Sequence, residues 1–187
     1  AYFGDGAANQ GQIYETFNMA ALWDLPVIFV IENNQYAMGT AQKRSTSTPD
    51  LYTRGEAFGI KGQAVDGMDV LEVKAAGEKA VAHCRSGKGP YILEMKTYRY
   101  RGHSMSDAQK YRTKDEVEEY KKIDPITQVL DIIKEKKYAS SDEIAAIDKE
   151  VKSLVKECEQ FAEDSPYPDP QQMYDMVYEQ EDYPFIS

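Results

Sequence analysis

Cysteine and histidine are scarce, with two of each in 187 residues. Cys84 and Cys158 stand far apart and outside any CxxC spacing, which excludes a disulfide framework or a zinc ribbon and fits a reducing compartment. With only His83 and His103 beside them, a zinc centre or a hydrolase triad has little to be built from. No apolar run reaches the roughly 18 residues of a membrane span, and no charged, apolar and cleavage-site series opens the chain. Positive charge is also in short supply: 22 Lys and Arg against 32 Asp and Glu give a formal charge of −10, which disfavours nucleic acid or an anionic membrane as partner. No internal repeat is found.

What is present reads as alternating strands and helices. Ala1-Tyr2-Phe3 looks like the end of a buried strand and carries no initiator methionine; since a strand needs neighbours, further sequence is expected to have preceded it. Gly4-Asp5-Gly6 is a turn, and Ile13, Phe17, Ala20 and Ala21 fall at helical spacing between Asn9 and Leu22. Pro26 stops that helix, and Val27 to Ile31 is the β-branched and aromatic run of a buried parallel strand. Positions 39 to 50, rich in Ser and Thr, read as a loop, with a short helix following to Phe58. Gln63 to Val65 is a short strand, Asp69 caps a helix with apolar positions at Val70, Val73, Ala76, Ala80 and Val81, and Tyr91 to Tyr98 is another strand. This alternation predicts an α/β fold with a mostly parallel, doubly wound sheet.

Beyond Tyr98 the pattern changes. Residues 99 to 112 lack apolar periodicity. Thr113 and Glu116 have capping-box spacing, Asp124-Pro125 opens a second helix, and the box Ser140 to Glu143 opens a third. The third carries the apolar stripe Ile144, Ile147, Val151, Leu154, Val155, Cys158 and Phe161, which is expected to dock on the chain's own core. Pro166, Pro168 and Pro170 end it, and the acidic, aromatic tail carries no further signal. The division expected is an α/β domain over 1–112 and a C-terminal helical extension over 113–187.

Successive parallel strands joined by a right-handed crossover place their carboxyl ends side by side, where ligands of open sheets bind. Asp5 and Asn34 both sit at such ends. A carboxylate, an amide oxygen and nearby carbonyls are hard donors that suit Mg²⁺ shared with ligand phosphates. Gly4 and Gly6 allow a tight turn, and the Gly6 and Ala7 N–H groups with the following helix N-terminus can meet a diphosphate. Taken singly, each is an ordinary turn or loop. Together, a GDG turn, one helix, one buried strand and then Asn33-Asn34 match the thiamine-diphosphate signature.

The stretch GDGAANQGQIYETFNMAALWDLPVIFVIENNQYAMGT resembles the alpha subunits of thiamine-diphosphate-dependent 2-oxo acid dehydrogenases along its length. The resemblance continues through VDGMDV, SGKGPYILEMKTYRYRGHSMSD, YRTKDEV and DPI, over most of residues 1 to 165. Within that family it looks like the pyruvate type; acetoin and branched-chain enzymes are the neighbouring alternatives, and a noncatalytic α/β binding module is the alternative of another class. The resemblance implies the thiamine-diphosphate-binding fold, with Asp5, the Asn34 side chain and the Tyr36 main-chain carbonyl as Mg²⁺ ligands. It implies cofactor contacts at Gly4, Gly6 and Ala7, and a catalytic and cofactor-side role for His103 on a loop begun by Arg99, helping to pass the acyl group to a lipoyl arm. His83, within a helix, is left structural. Ser104 falls where mitochondrial relatives are phosphorylated. Yet SDAQKYR is shorter than their loop and Ala41 replaces another target serine, so an unmodified hydroxyl and a bacterial cytoplasmic enzyme are expected over a mitochondrial matrix one. The implied partners are the remaining N-terminal portion, a beta subunit in an alpha2beta2 heterotetramer, and the lipoyl domain of an acyltransferase core.

Overall fold

The computed structural model describes residues 1–175; the tail reading over 176–187 lies outside the described residues. In chain order the elements are β1 (Tyr2–Gly4), a 3-10 turn (Ala7–Asn9), α1 (Gly11–Leu22), β2 (Ile28–Asn33), the hairpin strands β3 (Tyr36–Ala37) and β4 (Thr40–Ala41), α2 (Gln42–Ser45), a 3-10 segment (Leu51–Phe58), β5 (Lys61–Asp66), α3 (Val70–Arg85), β6 (Tyr91–Lys96), α4 (Lys114–Lys121), α5 (Pro125–Glu135), α6 (Ser141–Asp164) and α7 (Gln172–Asp175).

Four strands form one parallel sheet in the order β1-β2-β6-β5, with Gly4 beside Glu32, Val30 beside Leu93 and Val65 beside Met95. The expected doubly wound α/β fold is therefore present. Because side chains alternate across a strand, the central strands β2 and β6 each serve two cores. Phe29, Ile31 and Ile92 pack with Phe17 and Ala20 of α1 and with Leu51 and Ile60, while Leu93, Tyr91 and Val65 pack with Ala76, Ala80 and Cys84 of α3. The Phe17 and Phe29 rings meet edge to face at 4.8 Å, a favoured aromatic geometry. Burial pushes the Cys84 thiol up, so it behaves as an inert apolar group. His83 stands edge-on to the Tyr91 ring.

Local signals account for the helix ends. Asp69 accepts from the Leu71 and Glu72 N–H groups, Asp124 accepts from Ile126 and Thr127, and Ser140 with Glu143 forms both halves of a capping box. At Thr113 only half the box forms. The Thr113 hydroxyl accepts from the Glu116 N–H, but the Glu116 carboxylate is engaged elsewhere, as shown below. The stretch 39–50, expected as a loop, holds one strand of the β3–β4 hairpin and the short helix α2. Two-residue strands and a single helical turn are too short to leave a period in sequence.

The chain separates into two compact units, Ala1–Glu135 and a second beginning at Lys136. α4 and α5 belong to the first. In the second, the α6 stripe of Ile147, Val151, Leu154, Val155 and Phe161 is not buried by the other described residues of its own unit. Among the described residues, no helix is long and apolar enough to cross a membrane.

Candidate active site

The parallel pairing of β1 with β2 sets Gly4 beside Glu32, so Asp5 leaves the sheet level with Asn33 and one residue short of Asn34. Both expected metal-side residues thus emerge at one carboxyl edge. Asp5 is only 3% exposed, and burial pushes its carboxyl above the usual range while its own backbone N–H pulls the other way. Among the described residues no Lys, Arg or His pairs with it. A buried carboxylate without a counter-charge is costly, and a bound cation would offset that cost.

The two asparagines divide the work. Asn33 is 1% exposed, and its amide nitrogen donates to Gln42 at 3.0 Å and to the buried Glu94 at 2.7 Å, pinning the end of β2. The Glu94 carboxylate also accepts from the Tyr52 N–H at 3.1 Å. Asn34, half-buried, accepts the Tyr36 N–H at 3.2 Å, an Asx turn that leaves one lone pair of its amide oxygen available. Between Asn34 and Tyr36, Gln35 takes a left-handed φ of 75°. Such a conformation in a non-glycine residue costs of order 1 kcal/mol and recurs at functional sites.

Gly6 is required for a reason other than the turn. Its φ and ψ of −66° and −47° are open to any residue, but a Cβ there would lie 2.5 Å from the Ala37 Cβ. The glycine lets the Asp5 turn and the Asn34 hairpin touch. Arg54 holds the turn from its other side through the Ala8 carbonyl and the Asn9 side chain. The Gly6 and Ala7 N–H groups donate to no other described residue, which leaves them for an anionic ligand. The helix proper begins only at Gly11, after the 3-10 turn, so these N–H groups rather than the α1 terminus are the donors nearest Asp5.

Beyond the hairpin, Asn34, Tyr36 and His103 line one cavity of about 130 Å³ with Met38, Arg99, Arg101, Tyr111 and Arg112. Asp5 and Gly4, Gly6 and Ala7 are not on its wall. A separate apolar cleft of about 580 Å³, lined by Val30, Val73 and Leu93 among others, holds none of the expected site residues.

The loop that carries His103 is organised by groups the sequence did not reveal. Asp107 accepts the His103 N–H at 2.8 Å, the Gln109 N–H at 2.8 Å and the Tyr111 hydroxyl at 2.7 Å. These donors, the Gln109 N–H foremost, hold its carboxyl below the usual range. A Cβ at Gly102 would fall 2.8 Å from that carboxylate. Arg112 donates to the Arg99 and Tyr100 carbonyls and lies over the rings of Tyr36, Tyr98 and Tyr111. Glu116 accepts the hydroxyls of both Tyr36 and Tyr98 through one oxygen, each at 2.8 Å, joining hairpin, loop and α4. Burial first, then the Glu116 hydrogen bond, pushes both phenols up to about 12. Ser104 is exposed, its hydroxyl 3.1 Å from that of Ser106. The one signal that could have marked this network is the density of tyrosine around the loop.

One carboxylate, one amide oxygen and main-chain carbonyls cannot enclose a metal alone. Among the described residues no group of three or more His, Cys, Asp or Glu could hold one. The set fits a small hard cation that completes its shell with phosphate oxygens and water.

The chain is similar to known proteins over most of its length. Residues 1–171 match the model of the family described as the dehydrogenase E1 component. The chain is 59% identical over 175 residues to the pyruvate dehydrogenase E1 component subunit alpha of Rhizobium meliloti, covering 93% of this chain and 50% of that protein. It is 54% identical over 177 residues to the same-named protein of Rickettsia bellii, covering 95% and 54%. With the mitochondrial one of Dictyostelium discoideum it shares 51% over 183 residues, covering 97% and 48%. The chain spans about half the length of these relatives, and by the family match over nearly its whole extent it belongs to the dehydrogenase E1 component family.

Proposed function

We propose that the chain supplies the metal and diphosphate side of the active site of a pyruvate dehydrogenase alpha subunit, acting with a beta subunit in an alpha2beta2 assembly. The observation that carries this reading is Asp5, a buried carboxylate without counter-charge at the sheet edge shared with Asn34. In this reading Mg²⁺ is held by the Asp5 carboxylate, the free lone pair of Asn34 Oδ1 and the Tyr36 carbonyl, while the Gly6 and Ala7 N–H groups donate to diphosphate oxygens. Thiamine diphosphate, when bound, supplies the nucleophilic carbon and the electron sink for oxidative decarboxylation of pyruvate. Asn33, Gln42 and Glu94 fix the end of β2, and Glu116 fixes the Tyr36 ring, so that neither metal-side segment needs to reorganise on binding. His103, beside Asn34 on the cavity wall, is the residue for handing the acetyl group to a lipoyl domain, with Arg112 and Asp107 holding its loop. The Ser104 hydroxyl is unmodified in this reading, and the bacterial relatives favour a cytoplasmic setting. The acetoin and branched-chain readings are not favoured, because the relatives named above all carry the pyruvate name.

The test is calorimetric titration of thiamine diphosphate into the chain assembled with its beta subunit and the rest of the alpha subunit, with and without Mg²⁺. Metal-dependent binding, lost in Asp5→Asn and weakened in Asn34→Ala, together with pyruvate-driven carbon dioxide release, is the expected result. Equal binding by folded Asp5→Asn would overturn the assignment, and no binding by any form would leave a noncatalytic α/β module. The 187 residues alone, holding half the length of the relatives, are expected to release no carbon dioxide.

A further inference from the structure

Asn33, Gln35 and Gln42 close a hydrogen-bonded ring beneath the Asn34 hairpin. Gln35 is held in its left-handed φ of 75° at both ends of its own backbone: its N–H donates to Asn33 Oδ1 at 3.2 Å, and its carbonyl accepts the Gln42 N–H at 2.9 Å. Those two partners are joined to each other, because the Asn33 amide nitrogen donates to Gln42 Oε1 at 3.0 Å. The ring is fastened at two further points. Gln42 Nε2 donates to the Pro49 carbonyl at 3.0 Å, and the Asn33 amide gives its second hydrogen to Glu94 Oε1 on β6 at 2.7 Å.

Glu94 is the member that a core alone does not explain. It is 0% exposed, and among the described residues no Lys or Arg forms an ion pair with it. Its other oxygen accepts the Tyr52 N–H at 3.1 Å, so a carboxylate is kept in the interior by neutral donors only. A buried charge with no task beyond packing is better replaced by an apolar side chain of similar volume. The donors and acceptors fix the residue types. Two N–H groups point at Glu94, one at each oxygen, so an amide at position 94 would set its NH2 against Asn33 or Tyr52. Asn33 gives two hydrogens and accepts one, which no carboxylate or hydroxyl can do. What this matched set restrains is a left-handed non-glycine residue, a conformation that persists only where its surroundings over-determine it.

We propose that Glu94 is a positioning residue for the metal side of the site: through Asn33 and Gln42 it holds Gln35 left-handed, and so keeps Asn34 and Tyr36 in the hairpin conformation that binds the cation. This rests on the Mg²⁺ reading of Asn34 and Tyr36 given above. Glu94 itself bonds to neither of them. Its effect is on population: a variant whose hairpin is competent about one-tenth of the time binds the ion about tenfold more weakly, with no contact to the ion removed.

The test uses the complete alpha subunit assembled with its beta subunit. Hydrogen exchange of the assembly free of metal and cofactor is followed over residues 33–42, and calorimetric titration of Mg²⁺ in the presence of thiamine diphosphate gives the metal affinity. Glu94→Gln is expected to exchange faster at Gln35 and Tyr36 and to bind Mg²⁺ about tenfold more weakly. Gln42→Met, which opens the ring from its less buried end, is expected to shift both in the same direction and serves where Glu94→Gln does not fold. Adding Gln35→Gly to either variant restores no hydrogen bond, yet it removes the penalty on the left-handed φ and is expected to recover about threefold or more in affinity. A purely structural role for Glu94 would lower the melting temperature and give no such recovery. Unchanged exchange in both variants, Mg²⁺ affinity equal to wild type, or no recovery on adding Gln35→Gly overturns the inference. Thiamine diphosphate binding by the wild-type assembly that ignores Mg²⁺ is a different failure: it overturns the metal reading, and the inference with it.

Discussion

At the scale of single residues, the site is built from groups that are costly without their ligand. Asp5 ionises against burial, and its raised folded pKa means that stability is fully present below the ordinary carboxylate value of 3.8 and is lost as pH rises through the folded value. Asp5→Asn is therefore expected to raise the thermal stability of the metal-free chain at neutral pH, by about 1 kcal/mol, while abolishing metal-dependent cofactor binding. A loss of both stability and binding in calorimetry would count against the buried-charge account. Gly6→Ala forces the hairpin away from the Asp5 turn, at a cost of about 1–3 kcal/mol, and weakens cofactor binding. Gly11→Ala, whose Cβ would meet nothing within 4 Å, is the control expected to bind normally.

At the scale of elements, two carboxylates join segments that no local sequence signal links. Glu116 ties the β3–β4 hairpin to the strand end at Tyr98 and to α4, and Asp107 closes the His103 loop on itself. The Tyr36 and Tyr98 phenols ionise at about 12, against 10 for a free phenol, so their contribution to stability holds below 10 and is lost as pH rises from 10 to 12. Ultraviolet titration of Glu116→Gln is expected to show both phenols ionising at lower pH, though not fully restored, since burial is the larger cause. Asp107 works in the opposite sense. Its depressed folded pKa makes loop order present above 3.8 and lost as pH falls below it. In Asp107→Ala, hydrogen exchange is expected to accelerate over residues 100–111 and not in β2 or β6; unchanged protection there would show that the loop is held by Arg112 alone.

At the scale of the whole molecule, the sheet works as a platform. One parallel sheet between two apolar layers holds the carboxyl ends of β1 and β2 in fixed register, and the rigidity of that edge depends on the core beneath it. Phe17→Ala, which empties the ring position beside Phe29, is expected to cost about 3–5 kcal/mol by denaturant unfolding and to leave a chain that melts near ambient temperature. The exposed Lys136 and Lys137 lie where the two compact units meet in sequence, and Lys137 has a left-handed φ of 55°. Brief trypsin treatment is expected to cut there first and release a first unit that keeps its circular dichroism; earlier cleavage inside 1–135 would contradict that division.

The amino-acid sequence by itself determined the strand and helix alternation, the helix caps at Asp69, Asp124 and Ser140, and the pairing of a GDG turn with Asn33-Asn34, because each is written in near neighbours through periodicity, capping or turn chemistry. It also reached His103, though only through resemblance. Tertiary structure alone decided which asparagine is free for a ligand, why Gly6 must lack a side chain, and that Glu116 serves two tyrosines instead of completing a capping box. Each of those outcomes depends on a group at least 30 residues away, or on a strand neighbour, brought close by the sheet.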